Sequence, residues 1–558
     1  MSTSNTPHTE IIQHEHDPVI PKQYLFSFCL VTTLFAFWGF ANDVTNPLVR
    51  AFQEIFLISS SQSSLVQTAF YGGYATMAIP AALFIRKFSY KAGILVGLAL
   101  YATGALLFIP ASITMAFWVF LAALYILTFG LAFLETTANP YILAMGPPST
   151  ATRRLNFAQA FNPIGSLIGM VVASQIVLAG LGIQEFRAWQ ADEITSAHKA
   201  QYEDNLQQYK QNPQAYQQQL TTDEQKLETL HQKMMGLEEG TEAYKDTRGQ
   251  YKKQLESLKD RQMVVDGEYV PMMPGRIDAQ IIGALHDFHD GKIQFDVKDA
   301  EGRQKYTNHA AMQSHDLMVV RWPYVVIGCI IVGAFVVFLV SKLPEASAHE
   351  KMHLGHTFAA LLGNGRYVGG VIAQTFYVAA QIMCWTFIIN YAVINLNLTL
   401  SEAQGYNIIA MIIFCSSRFI CTYLLKYIKP GALLMILAVG GMLTTLGAIF
   451  LSGFAGLYSL IAISACMSLM FPTIYGIALD GLGEEAKLGS AGLIFAIVGG
   501  ALMPPLQGRI IDAGDDITGM IDVGFTSLPS VSASFVLPLI CFVVIAIYGF
   551  YTNRYYAE

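Results

Sequence analysis

The stretch Leu34-Phe35-Ala36-Phe37-Trp38-Gly39-Phe40-Ala41-Asn42-Asp43-Val44-Thr45-Asn46 decides the fold, because it sets an acid and two amides inside an otherwise apolar run. An ionised carboxylate in a bilayer costs about 3 kcal/mol or more unless a partner or a water-filled cavity receives it. Trp38, Asn42, Asp43 and Asn46 stand at helical spacings of four, one and three, so one helix face carries all four. Glu135 repeats the pattern in another long apolar run, with Asn139 at i+4 and then Pro140, which frees backbone carbonyls and kinks a helix. Two acids so placed point to a membrane protein that moves something.

Composition agrees. Of 558 residues 53% are hydrophobic and 13% charged, with 21 Met and 35 Phe, the balance of an all-α multipass membrane chain. The net charge of -7 comes largely from one central polar block and gives no sign of nucleic acid. All seven cysteines lie in apolar segments without metal-ligand spacing, so neither a disulfide framework nor a metal site is expected. Residues 1–22 are polar, and the first apolar run is too long for a signal peptide and lacks a small-residue cleavage site. The amino terminus is expected to stay in the cytoplasm.

Working outward, runs long enough to cross about 30 Å of hydrocarbon fall near 24–48, 63–86, 92–110, 115–145, 155–182, 321–342, 367–395, 404–427, 431–452, 457–479, 488–511 and 533–552. The connections on the amino-terminal side carry Arg86, Lys87, Lys91, Arg153, Arg154, Lys342, Lys351, Arg366, Lys426, Lys429 and Lys487, against Arg50 and Arg509 in the short loops opposite. The positive-inside rule then places both termini in the cytoplasm. Arg86 to Gly93 recurs loosely as Lys426 to Gly431, and Arg154-Leu155 as Lys487-Leu488. Offsets of about 330 to 340 residues suggest two six-helix bundles, 23–182 plus 321–342 and 367–558, joined by a cytoplasmic linker at 343–366. Residues 183–320 interrupt the pattern as an inserted extracytoplasmic domain. There Leu220, Leu227, Leu230, Met234 and Leu237, continued by Tyr244, Tyr251, Leu255 and Leu258, predict a helical hairpin with breaks at Pro213 and Gly240. The stretch 264–320 is expected to form a small mixed cap, and the insertion is either a solvated addition or a dock for an outer partner.

Further polar stripes accompany the two acids: Gln67, Tyr71 and Tyr74 on the second span, Asn156, Gln159, Asn162 and Ser166 on the fifth, and Gln374, Tyr377, Gln381 and Trp385 on the seventh, with Asn390 beyond. Helix-to-helix hydrogen bonds, at about 0.6 kcal/mol each, explain one such stripe. Several converging stripes fit a wet central cavity better. Amides and tyrosines match the hydroxyls of a sugar, and Trp38 or Trp385 offers a platform for its C–H face. No paired Arg clamp for phosphate or dicarboxylate is present, and Arg418 is expected to snorkel or to serve the structure. Phosphate loops, paired metal-binding histidines and nucleophile elbows are absent from the sequence, so an enzyme is not expected. An aspartyl intramembrane hydrolase is disfavoured because its two acids must share a hydrogen bond.

The strings Phe37-Trp38-Gly39-Phe40-Ala41-Asn42-Asp43, Gln67-Thr68-Ala69-Phe70-Tyr71, Leu134-Glu135-Thr136-Thr137-Ala138-Asn139-Pro140, Arg154-Leu155-Asn156-Phe157-Ala158-Gln159-Ala160-Phe161-Asn162 and Phe471-Pro472-Thr473-Ile474 together resemble the fucose–proton symporter family of the major facilitator superfamily. The resemblance covers nearly all twelve spans and leaves out the tail and the insertion. It implies two bundles rocking about a central sugar site, with Glu135 matching the family's essential acid. The first span departs from the pattern: the family's acid falls at Asn46 and its amide at Asp43, about one helical turn apart on the same face. Asp43 and Glu135 are the proton-coupling candidates. The substrate-binding candidates are Trp38, Asn42, Asn46, Gln67, Tyr71, Glu135, Asn139, Gln159, Asn162, Tyr377, Gln381, Trp385 and Asn390.

The expected function is proton-coupled import of a monosaccharide, L-fucose or a related hexose, across a bacterial inner membrane. The expected partners are the sugar, a proton and the lipid bilayer, with a monomeric chain and no cofactor. A sodium-coupled or uncoupled transporter of the same fold and a non-transporting sugar sensor stay open as alternatives. A drug exporter is disfavoured by the amide-rich stripes.

Overall fold

The computed structural model describes residues 18–147, 154, 157–159, 161–237, 241–266, 269, 272, 274–295, 297–298, 302–343, 360–425, 427–480, 482, 486–514, 520–522 and 527–555. The tail to residue 17, most of the 343–366 linker, Asn156 and Gly240 lie outside them. Twelve helices among the described residues have the length and hydropathy to cross a membrane: Lys22–Ile55, Ser60–Ile85, Tyr90–Thr114, Phe117–Ala144, Phe157–Gly180, His309–Val340, Gly365–Leu396, Leu400–Cys421, Pro430–Phe450, Gly453–Leu479, Ala491–Asp512 and Ser530–Arg554. They are called spans one to twelve here.

Local chemistry sets their ends. The second connection closes on Ser89, whose hydroxyl accepts the Ala92 N–H at 3.1 Å, and the eighth span opens on a Thr399–Glu402 capping box. The first span bends at Asn46-Pro47, between helices Leu25–Thr45 and Leu48–Ile55, where Pro47 brings no N–H to the ladder. The sixth span begins at His309, well before the apolar run that starts near 321. Its first turns are polar and already partnered within the protein: Gln313 donates to the Ile55 carbonyl at 3.0 Å, and Asp316 accepts the Gly182 and Ile183 N–H groups at 2.6 and 3.1 Å. A search for apolar runs passes over such turns.

The helices pack as two sets of six with matching neighbours. Spans one and five, two and four, three and four, and three and six pack together, and so do seven and eleven, eight and ten, nine and ten, and nine and twelve. Adding six converts each pair of the first half into one of the second. The halves meet along spans two and eleven and along five and eight, which the same exchange interconverts. With an even number of spans both chain termini lie at one end, termed the terminal end; the other is the far end.

Residues 185–293 form a separate compact unit. Helix Pro213–Met235 starts with Pro213 behind an Asn212 cap and pairs with Glu242–Asp266. The pair runs antiparallel, since Asp223 meets Gln254 and Arg261 while His231 meets Tyr251. Leu220, Leu227, Leu230 and Met234 are half-buried and Leu258 is buried. At the centre of the hairpin the Asp223 carboxylate accepts Gln254 Nε2 at 3.0 Å and Arg261 Nη1 at 2.9 Å. A third helix, Pro274–His289, is tied by Asp278 to Arg187 at 2.6 Å. That helix and the start of the sixth span take up much of the 264–320 stretch expected to form a mixed cap, where the described residues add one β-bridge, Lys298 to Gln304.

Candidate functional site

Glycines bring the first and fifth spans into backbone contact. A Cβ on Gly39 would collide with the Asn162 carbonyl, one on Gly165 with the Ala36 carbonyl and one on Gly169 with the Phe40 carbonyl. Small residues allow this approach in membranes. The Trp38–Asn42–Asp43 face therefore stands directly beside Asn162 and Ser166.

Asp43 is buried, and its carboxyl begins a chain of hydrogen bonds. Oδ1 accepts Asn46 Nδ2 at 3.0 Å, Asn46 Oδ1 accepts Gln67 Nε2 at 3.2 Å, and the same Gln67 nitrogen donates to Thr386 Oγ1 at 3.0 Å, on the seventh span and in the other half. Ser166 and Asn42 flank the carboxyl. Its second oxygen, Oδ2, is buried with no hydrogen-bond partner among the described residues. Asn42 turns its oxygen to the Tyr71 hydroxyl, which donates to it at 2.7 Å.

Glu135 sits one layer nearer the terminal end. Its Oε2 and the Tyr74 hydroxyl are both buried without partners among the described residues, and Tyr74 lies beside Trp38 and within electrostatic range of Glu135. Gln159 Nε2 donates to Asn139 Oδ1 at 3.0 Å, and Asn162 Nδ2 to the Phe35 carbonyl at 3.4 Å. Gln159 is exposed, while Trp38, Asn42, Glu135, Asn139 and Asn162 are half-buried. Asn42, Asn46 and Ser166 thus lie about Asp43, and Tyr74 with Trp38 near Glu135, and neither acid forms an ion pair among the described residues.

The seventh span divides its stripe differently from the sequence expectation. Gln381 is half-buried, but Tyr377 and Trp385 spend their polar handles inside the second bundle. The Tyr377 hydroxyl donates to the Met467 carbonyl at 3.1 Å and Trp385 Nε1 to Ser464 Oγ at 3.1 Å, with the indole edge-on to Phe414. Buried phenols and indoles need such partners. These two therefore pack against the tenth span in this state and offer no open platform. Asn390 is fully buried, with both amide atoms unpartnered among the described residues. Arg418 Nε donates to the Ser468 carbonyl at 3.0 Å, at the break between helices Gly453–Met467 and Met470–Leu479, and its guanidinium lies over Phe414. Together Tyr377 and Arg418 take up carbonyls at the point where the tenth span is interrupted.

Contacts that the sequence does not announce close the far end. The Asp512 carboxylate accepts the Ser60 and Ser61 N–H groups, Ser174 meets Ser401 at 3.2 Å, Gln184 Oε1 accepts the Leu400 N–H at 3.1 Å, and Thr68 donates to the Ala501 carbonyl at 2.7 Å. Each joins one half to the other. Asp512, Ser60, Ser401 and Thr386 carry no spacing signal, because their partners lie hundreds of residues away in sequence. Among the described residues no group of three or more His, Cys, Asp or Glu is placed to hold a metal ion.

Comparison with known proteins agrees with this architecture. The Major Facilitator Superfamily model matches residues 27–191. An L-fucose-proton symporter of Haemophilus influenzae is 46% identical over 534 residues, covering 95% of this chain and 97% of its own. The L-fucose-proton symporter of Escherichia coli is 28% identical over 540 residues, covering 96% and 94%. The crystal structure of the major facilitator transporter FucP in the outward conformation superposes with a TM-score of 0.55 at 26% identity, over 95% of this chain and 99% of that one.

Proposed function

Because the chain belongs to the L-fucose–proton symporter family of the major facilitator superfamily, we propose that it imports a monosaccharide, L-fucose or a related hexose, together with a proton. It is a membrane transporter and not an enzyme. One observation carries the reading: Asp43 and Glu135, without ion-pair partners among the described residues, share a cluster of amides, tyrosines and an indole carried by the first, second, fourth and fifth spans.

A lone carboxylate is tolerated in such a place while water reaches it and is costly once water is excluded. Occlusion with sugar is therefore reached with a proton on the acid. Opening on the low-proton side rehydrates the carboxyl and releases the proton, and a membrane potential adds about 2.3 kcal/mol per charge per 100 mV. Sugar hydroxyls held by Glu135, Gln159, Asn162 and Gln381 supply the difference in affinity that selects the occluded state. The basic residues at the terminal end favour a cytoplasmic location for both termini, in a bacterial inner membrane. The zipped far end then faces outward, and exposed Gln159 lies on the cytoplasmic route of an inward-facing state. The chain acts as a monomer, and the insertion between the fifth and sixth spans docks an outer partner.

Uptake of a panel of radiolabelled monosaccharides into vesicles at two external pH values tests this reading. Accumulation of L-fucose that rises at acid external pH supports it. Equal uptake at both values favours an uncoupled carrier, a strict sodium requirement favours the sodium-coupled form, and binding without accumulation favours a sensor.

A further inference from the structure

We infer that Tyr74 is a further specificity-determining residue of the sugar site, its hydroxyl and Glu135 Oε2 together holding one hydroxyl of the bound monosaccharide. The assignment rests on the sugar-transport reading and names one of its contacts.

Two atoms carry it. The Tyr74 hydroxyl and Glu135 Oε2 are both buried with no hydrogen-bond partner among the described residues, on spans two and four, which pack together. Buried polar atoms are nearly always partnered, so two left over in one place call for a third group. They lie within electrostatic range of each other and yet are not bonded, as two groups that share a bridging oxygen are. Trp38, the candidate platform for the C–H face of a sugar, lies beside the phenol. Trp38 and Glu135 are half-buried, so the pair borders space that solvent reaches. Tyr71, one turn earlier on the same stripe, is not equivalent, because its hydroxyl is committed to Asn42 at 2.7 Å.

A sugar hydroxyl meets both atoms at once because it donates and accepts. Its oxygen takes the Tyr74 O–H, and its own O–H goes to Oε2. Where Oε2 itself carries the proton the order reverses: the acid donates to the sugar oxygen, and the sugar O–H turns to the phenol oxygen. Both protonation states of Glu135 are therefore satisfied by the same contact, which suits an acid that holds cargo while it gains and loses a proton. The cost of two unpartnered buried atoms in the sugar-free protein is relieved on binding and adds to the affinity that selects the occluded state.

The test reads binding, without transport. Affinities for L-fucose and for deoxy analogues, each lacking one ring hydroxyl, are measured by competition with radiolabelled L-fucose on purified wild-type protein and on Tyr74→Phe. D-galactose and its deoxy analogues replace them if wild type binds that hexose instead. Tyr74→Phe deletes a single oxygen that has no partner among the described residues, so the variant is expected to fold. It is expected to weaken the parent sugar about tenfold. One analogue, lacking the hydroxyl that Tyr74 meets, should bind the variant as well as it binds wild type, while the others weaken as the parent does. If Tyr74→Phe fails to fold, Tyr74→Met must spare one analogue in the same way. Undiminished affinity for the parent sugar overturns the inference, and so does a loss shared equally by every analogue, which would assign the two atoms to a bridging water. Either result leaves the transport reading standing, because wild type still binds. A wild type that binds neither L-fucose nor D-galactose overturns both, so the wild-type arm tells the two failures apart.

Discussion

The Asp512 carboxylate at the end of the eleventh span accepts the Ser60 N–H at the start of the second, at 2.8 Å, and its other oxygen accepts the Ser61 N–H at the same distance. Ser60 opens the short helix Ser60–Ser63, whose first N–H groups have no partner of their own, so the acid caps it from the other half of the molecule. Gly508, one turn before Asp512, lies against the Ser60 carbonyl, where a Cβ would approach to 2.7 Å. The contact therefore depends on a charge and on a missing side chain together.

Replacing Asp512 by Ala removes two charge-assisted bonds from a partly exposed site, a loss of about 1 kcal/mol and roughly a fivefold shift toward far-end opening. The variant should fold normally and show faster modification of a cysteine introduced at the far end. A closed far end indistinguishable from wild type would mean that Asp512 only caps a helix.

Gly165→Ala is expected to be harsher than its size suggests. The added methyl meets the Ala36 carbonyl, a backbone atom that cannot rotate away, so the first and fifth spans must part at a cost of about 1–3 kcal/mol. Thermal unfolding in detergent should begin several degrees lower, with sugar binding lost in the same variant. Unchanged melting and binding would show that the close approach is dispensable.

Glu135→Gln keeps the shape of the side chain and removes the titratable proton. Accumulation of sugar should vanish while the amount of protein in the membrane stays at the wild-type level. Active uptake at the normal rate would remove Glu135 from the coupling scheme. Asp43→Asn should lose pH-driven uptake and keep residual exchange, whereas a wild-type pH profile would leave Glu135 as the only coupling acid.

In the 185–293 unit, Asp223→Ala strands Arg261 and Gln254 and should loosen the hairpin by about 1–3 kcal/mol. Limited proteolysis should then cut within 213–266 faster, with sugar uptake unchanged. A loss of uptake would give the insertion a part in transport that its chemistry does not suggest.

Much of this site was legible from spacing. Trp38, Asn42, Asp43 and Asn46 announce one face of one helix, and an acid on that face must find company, so the convergence with Gln67, Tyr71, Glu135, Gln159 and Asn162 follows from the cost of burying polar groups. Spacing shows that Tyr377, Gln381 and Trp385 share a face, but not whether that face looks out at the other half or in at its own. The Met467 carbonyl and the Ser464 hydroxyl decide this for Tyr377 and Trp385, and neither residue advertises itself. Thr386 was hidden for a similar reason. A threonine in a membrane helix usually bonds back to its own ladder, as Thr45 does to Ala41 and Thr128 to Leu124, and its pairing with Gln67 spans 319 residues. The early start of the sixth span was hidden because Gln313 and Asp316 are polar residues whose partners lie in distant segments.

Proton movement driven by sugar in proteoliposomes, followed with a pH electrode in weakly buffered medium and no imposed gradient, bears most directly on the central claim. Adding L-fucose outside should make the medium alkaline in step with sugar entry, and Glu135→Gln should abolish the signal. Sugar entry that leaves external pH unmoved and is indifferent to a protonophore would contradict the coupling of Asp43 and Glu135 to transport.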